Sequence, residues 1–202
     1  MDKVKEFWDW FKLNEARYFF LGQVTDEIEK ERYLDELLEQ LHLYCEQLYF
    51  EVGGAEDGNQ DLIITAQADE HFFDDVELLV AHAPNLEHWN FIALKPAVGE
   101  GVVQYGDARL DADLMYFDPL ENKSSQKIGL RVYVENYNVA DHDSFTAAAW
   151  ILTDSLLGEK SSAMDIGYLE VVGLQPTSDK EKLIPFAKLP RYVNWKKSKA
   201  NT

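Results

Sequence analysis

A chain of 202 residues with 46% hydrophobic and 13% aromatic side chains can build one substantial core, which excludes global disorder. Its formal charge of −18 is unevenly spread: residues 179–202 carry seven Lys and Arg against two acidic residues, a net +5, leaving −23 on residues 1–178. Such a body repels nucleic-acid phosphate and anionic lipid and attracts cationic surfaces over a Debye length of about 8 Å.

The expected partner is therefore a basic protein, with no nucleic acid and no membrane. One cysteine, Cys45, leaves no intramolecular disulfide to form and suits a reducing compartment. The opening Met1-Asp2-Lys3-Val4-Lys5-Glu6 lacks an apolar export segment, and no run approaches the roughly 20 apolar residues of a bilayer span. These features predict a cytoplasmic protein, read as a single domain over residues 1–202.

Residues 1–47 read as a helical hairpin. Val4, Phe7, Trp8 and Phe11 share one side of a first helix, and Leu34, Leu37, Leu38, Leu41, Cys45 and Leu48 line one face of a second. Gly22 and Thr25 mark the turn, and Asp26 with Glu29 forms a candidate capping box. Asp35, Glu36 and Glu39 fall on the outward face, which reads first as a solvated surface.

From residue 48 the period changes from 3.6 to 2. Leu48–Val52 and Leu62–Thr65 read as strands around a turn at Gly53-Gly54 and Asp57-Gly58-Asn59. Asp69 then caps a helix striped by Phe72, Phe73, Val76, Leu79, Val80 and Ala83 and ended by Pro84. Trp89–Leu94 is a third strand, closed by Pro96. Residues 97–107, with Gly99, Gly101 and Gly106, read as a flexible connector; Gly99-Glu100-Gly101 lacks the Lys-Ser/Thr ending and following helix of a phosphate loop.

The order then recurs, with strands at Leu110–Phe117 and Ile128–Glu135, a helix over 142–157 and a strand at Tyr168–Leu174 closed by Pro176. Tyr49-Phe50-Glu51 is echoed by Tyr116-Phe117-Asp118, Asp69 and His71 by Asp141 and His142, and Leu94-Lys95-Pro96 by Leu174-Gln175-Pro176. Residues 48–96 and 108–176 are thus candidate ββαβ halves of a degenerate tandem duplication. The fold class is α+β: an N-terminal helical hairpin on a mainly antiparallel sheet, with two further helices on one face. Residues 179–202 form a basic arm whose Phe186, Tyr192 and Trp195 are expected to pack against the body, Trp195 at least half buried, with the arm's charges facing the acidic surface.

Candidate chemistry is sparse. Asp111-Ala112-Asp113 on a strand would set two carboxylates on one face, able to hold a cation or share a proton. A hairpin centred near Asn122 sets Asp113 opposite Arg131 and Arg109 opposite Glu135, a structural alternative built from cross-strand ion pairs. Asp111, Asp113, Arg131, Tyr133 and Glu135 are the candidate catalytic group on that polar sheet face, with structural pairing preferred. Among histidines 42, 71, 82, 88 and 142, His71 with Asp75 gives an i, i+4 pair of candidate metal ligands without a third. No cofactor signature is present, and Cys45 reads as a small apolar residue in the helix stripe.

Tyr49-Phe50-Glu51-Val52-Gly53-Gly54, Leu62-Ile63-Ile64-Thr65-Ala66, Ala83-Pro84 and Trp89-Asn90-Phe91-Ile92-Ala93-Leu94-Lys95-Pro96 resemble a group of bacterial proteins of unknown function over roughly residues 30–117. The resemblance implies a bacterial cytoplasmic origin and carries no site residues. The expected function is a non-enzymatic acidic interaction protein, regulatory or immunity-type, that binds a basic partner. The competing expectation is a small-molecule enzyme or metal-dependent site around Asp111 and Asp113.

Overall fold

The computed structural model describes residues 2–54, 58–99, 101–120, 125–175 and 180–200. It forms two compact units, Met1–Lys95 and Pro96–Thr202. The α+β class and the mainly antiparallel pairing agree with the sequence pattern.

The first unit opens with helix α1 (Asp2–Phe19), which buries Val4, Phe7, Trp8, Phe11 and Tyr18, the spacing that puts them on one face. Helix α2 (Glu27–Tyr44) starts where the Asp26 carboxylate accepts the amide N–H of Ile28 at 3.0 Å and of Glu29 at 3.5 Å. The reciprocal half of the capping box is absent, because the Glu29 carboxylate accepts the Tyr33 hydroxyl at 2.6 Å instead. The two helices are tied by the Tyr18 hydroxyl, which donates to the Tyr33 carbonyl, and by an Arg17–Glu36 ion pair at 3.0 Å.

Strands β1 (Tyr49–Gly54) and β2 (Gln60–Thr65) pair antiparallel; helix α3 (Phe73–Ala81) then crosses to β3 (Trp89–Ala93), parallel to β2. Asp69 caps not α3 itself but the short 3₁₀ turn Glu70–Phe72 that leads into it. Leu62 and Ile64 are fully buried under an aromatic cluster in which Trp8 and Phe11 meet Phe91 edge-on at 4.8 and 5.6 Å. The Trp8 indole N–H donates to the Leu79 carbonyl, so the largest buried polar handle of α1 is satisfied by α3.

In the second unit the expected connector is structured. Val102–Tyr105 (β4) and Ala108–Asp111 (β5) form a hairpin around Gly106, whose φ of +54° suits the tight reversal. The expected strand over 110–117 is therefore cut. The Asp111 carboxylate accepts the Asp113 amide, turning the backbone into a 3₁₀ turn at Ala112–Leu114 before β6 (Tyr116–Leu120) begins.

Strand β6 pairs antiparallel with β7 (Ile128–Val134), helices α4 (His142–Leu157) and α5 (Glu159–Asp165) follow, and β8 (Ile166–Gly173) lies parallel to β7. The ββαβ order of the first unit thus recurs as β6-β7-α4/α5-β8, with the β4–β5 hairpin outside the repeat. Tyr49 and Tyr116 each open the first strand of a ββαβ run, and the amides of Leu94 and Leu174 each donate across the parallel pair at 2.8 Å. One echo is misassigned: the counterpart of Asp69 is Asn138, which caps the turn before α4, whereas Asp141 makes no cap bond.

The basic arm belongs to the second core. Strand β9 (Ile184–Pro185) pairs with β6, and helix α6 (Leu189–Ala200) follows, with Phe186, Leu189 and Val193 fully buried. Burial fades along the arm, from Phe186 at 0% exposed to Trp195 at 48%. Glu100, Asn122, Ser124, Pro176 and Asp179 lie outside the described residues.

Candidate functional site

Alternation along β6, β7 and β8 puts Tyr116, Asp118, Arg131, Tyr133, Tyr168 and Glu170 on the face turned away from the second core. The register sets Asp118, not Asp113, opposite Arg131, and Arg131 also lies opposite Glu170. The Arg131 Nε donates to the Glu170 carboxylate at 2.5 Å, which raises the guanidinium pKa further above its ordinary value. The Tyr133 hydroxyl donates to Asp118 at 3.1 Å; burial first, then that carboxylate, pushes the phenol up. At the end of the face Lys180 pairs with Glu135 at 2.7 Å, which raises the lysine, and its ammonium lies 5.6 Å from the Tyr116 ring centre.

Arg131, Tyr133 and Glu135 thus come to one face, but each is held by a partner that the sequence reading did not assign. Arg109 lies opposite Gln104 in the β4–β5 hairpin rather than opposite Glu135. Asp111 and Asp113 do not share a strand face, because the first ends β5 and the second sits in the turn that it caps. Asp111 instead lines a cavity of about 260 Å³ with Arg109, Leu110, Met115, Glu135 and Asn136, and Asn136 donates to the Arg109 carbonyl.

The metal expectation meets a different geometry. The His71 Nδ1 lies 2.8 Å from Asp69, in the 3₁₀ turn before α3, and this bond lowers the Asp69 carboxyl below its usual range. Among the described residues no group of three or more His, Cys, Asp or Glu is placed to hold a metal ion. The amides of Val98 and Gly99 both donate to the Ser155 carbonyl, so that glycine segment is pinned to α4 rather than open to a phosphate.

Charge separates by unit. Met1–Lys95 holds 22 acidic residues against seven Lys and Arg, a formal −15, and Pro96–Thr202 carries the remaining −3. On α2, Glu27, Glu31, Asp35 and Glu39 form an exposed ladder at i, i+4 spacing. Glu27 has Lys30 at 4.0 Å; Glu31, Asp35 and Glu39 have no ion pair among the described residues. Glu36, read from sequence as outward, is turned aside to Arg17 and Arg32, both at 3.0 Å. The ladder continues one turn further to Leu43, 64% exposed, and Glu46 is exposed just beyond the helix.

No described helix is long and apolar enough to cross a membrane. No protein-family model, curated protein or solved structure matches the chain.

Proposed function

We propose that this protein is a binding protein that engages a basic protein surface through the exposed face of α2. The observation that carries the reading is the ladder Glu31, Asp35 and Glu39. Like charges one turn apart destabilise a helix by about 0.2–0.5 kcal/mol per pair. Three such residues, with no counter-ion among the described residues, contribute nothing to the hydrophobic core and oppose helix formation.

A row of carboxylates does serve encounter. Opposite potentials across an interface raise association rates and suppress like-charged competitors, which here include nucleic acid and anionic lipid. Leu43 supplies an exposed apolar contact at the end of the row, where anchoring side chains give a charged encounter its lifetime. A cytoplasmic setting, in which the single thiol Cys45 stays reduced, accompanies this reading.

The test compares the native chain with Asp35→Lys/Glu39→Lys, each immobilised and exposed to cell extract, with bound proteins eluted by salt and identified by mass. Basic proteins eluting from the native chain and missing from the variant are the expected result. Identical capture by both chains overturns the proposal.

A further inference from the structure

The arm helix α6 presents a second charged face. Lys188, Arg191, Lys196 and Lys199 are exposed and reach no carboxylate among the described residues, although Lys197 pairs with Asp165 and Lys180 with Glu135. The expectation that the arm's charges face the acidic body therefore holds for only part of them. Trp195 sits among the free cations, with the Lys199 ammonium 4.9 Å from its ring centre.

Along this face Lys188, at the end of the 3₁₀ turn before α6, and then Arg191, Trp195 and Lys199 on the helix read cation, cation, apolar, cation. Along α2, Asp35, Glu39 and Leu43 read anion, anion, apolar at i, i+4 spacing, and Glu46 follows just beyond the helix. Within the helices, Arg191 to Trp195 and Glu39 to Leu43 each span four residue steps, about 6 Å at 1.5 Å per residue. Laid side by side in parallel, Arg191 meets Glu39 and Trp195 meets Leu43, with Lys188 on the Asp35 side and Lys199 toward Glu46. All eight side chains are exposed in the single chain, so both rows are open to an outside partner.

We propose that the α6 face of one copy docks on the α2 face of a second copy, making this chain its own basic partner. The inference rests on the reading of α2 as a docking face and names an occupant for it. Three other observations favour a second copy over a lipid surface or a nucleic acid. The apolar side of α6, Leu189 and Val193, is fully buried in its own core and is not free to insert in a bilayer. A formal −15 on the first unit opposes nucleic acid and anionic lipid, neither of which carries an apolar residue set among its charges to meet Trp195. The α2 row is opposite to α6 in charge, and its apolar Leu43 follows Glu39 by the same four steps by which Trp195 follows Arg191, a complementarity that generic anions do not offer.

The contact is heterologous, two different patches meeting, so it closes reciprocally into a dimer or extends as an open series. Two chains of −18 repel at long range at low ionic strength, while the short pairs at the contact are screened at high ionic strength. Association therefore peaks at intermediate salt. Competition follows as well, since a basic partner and α6 of another copy seek the same carboxylates.

The experiment measures molar mass by sedimentation and light scattering across concentration and salt for the full chain and two variants. One reverses the arm (Lys188→Glu/Arg191→Glu/Lys199→Glu), and the other reverses α2 (Asp35→Lys/Glu39→Lys/Glu46→Lys). The native chain should self-associate with a maximum at intermediate salt, and each variant alone should associate about tenfold more weakly or less. An equimolar mixture of the two variants should recover association, because each supplies the face that the other needs. Circular dichroism of each variant confirms that the substitutions leave the helices intact.

A native chain that stays monomeric throughout, or a mixture of variants that fails to recover association, overturns the self-docking. Its failure is separable from that of the α2 reading. The arm-reversed variant keeps its native α2 face, so its capture of basic proteins from extract stands or falls independently of self-association.

Discussion

Tyr18 and Tyr44 make the first unit sensitive to alkali. Each hydroxyl donates to a carbonyl in a neighbouring segment, Tyr18 to Tyr33 and Tyr44 to Asp75, and burial pushes each phenol up to about 12. A raised pKa means that the folded chain holds its proton more tightly than the unfolded one, whose tyrosines titrate near 10. The stability that depends on the neutral phenols is therefore complete below about pH 10 and is lost as pH rises through about 12. Tyr18→Phe keeps the ring stacked on Phe11 at 5.8 Å and removes one ionising group. It should cost roughly 1 kcal/mol at neutral pH for the missing hydrogen bond and then lose less stability than the native chain above pH 10. Denaturant unfolding as a function of pH, with tyrosinate absorbance recorded in parallel, measures both effects; equal alkaline losses in the two proteins would show that burial of Tyr18 plays no part.

Among elements, the second sheet and α2 show why some structure was legible in the sequence and some was not. A helix face is local information: Leu37 and Leu41 buried, Asp35 and Glu39 exposed, all follow from 3.6-residue spacing without knowledge of any distant segment. Strand register is not local. The sequence offered Asp113 as a partner for Arg131, but the Asp111 side chain captures the Asp113 amide, ends the strand and moves the pairing to Asp118. The β4–β5 hairpin was hidden for a related reason, because Gly99, Gly101 and Gly106 suggest mobility while the alternating Val102–Tyr105 is too short to overrule them. Double-mutant cycles follow from the observed register. Arg131→Ala with Glu170→Ala should show coupling of about 0.2–1 kcal/mol, and Arg131→Ala with Asp113→Ala should add without coupling. A coupled Asp113–Arg131 pair would restore the register read from sequence. On α2, Asp35→Lys places a lysine one turn after Glu31, a favourable order, so it should stabilise the chain by about 0.2–0.5 kcal/mol while weakening capture of basic partners. Stability and binding moving in the same direction would argue that the ladder is not there for docking.

For the whole molecule, the reversal of charge at the C-terminal arm is also a change of structural duty along one segment. Phe186 is fully buried, its amide donates to the Met115 carbonyl at 2.9 Å, and its ring meets Phe117 edge-on at 6.1 Å. Nine residues later Trp195 has a tilted contact with Tyr192 and the Lys199 ammonium over its ring, and keeps nearly half its surface in solvent. The first part of the arm completes a core and the last part displays a face. Phe186→Ala should therefore cost about 3–5 kcal/mol, the usual range for emptying a buried aromatic site, read as a lower denaturant midpoint. Trp195→Ala should cost well under about 1 kcal/mol in the isolated chain, yet weaken self-association, because its ring meets Leu43 of a second copy. Deleting the whole arm would merge these effects, since it opens the core and removes the docking face together; the two point substitutions keep them apart. Should Trp195→Ala destabilise the chain as much as Phe186→Ala, α6 would be a purely structural helix and its cationic row a solvated surface.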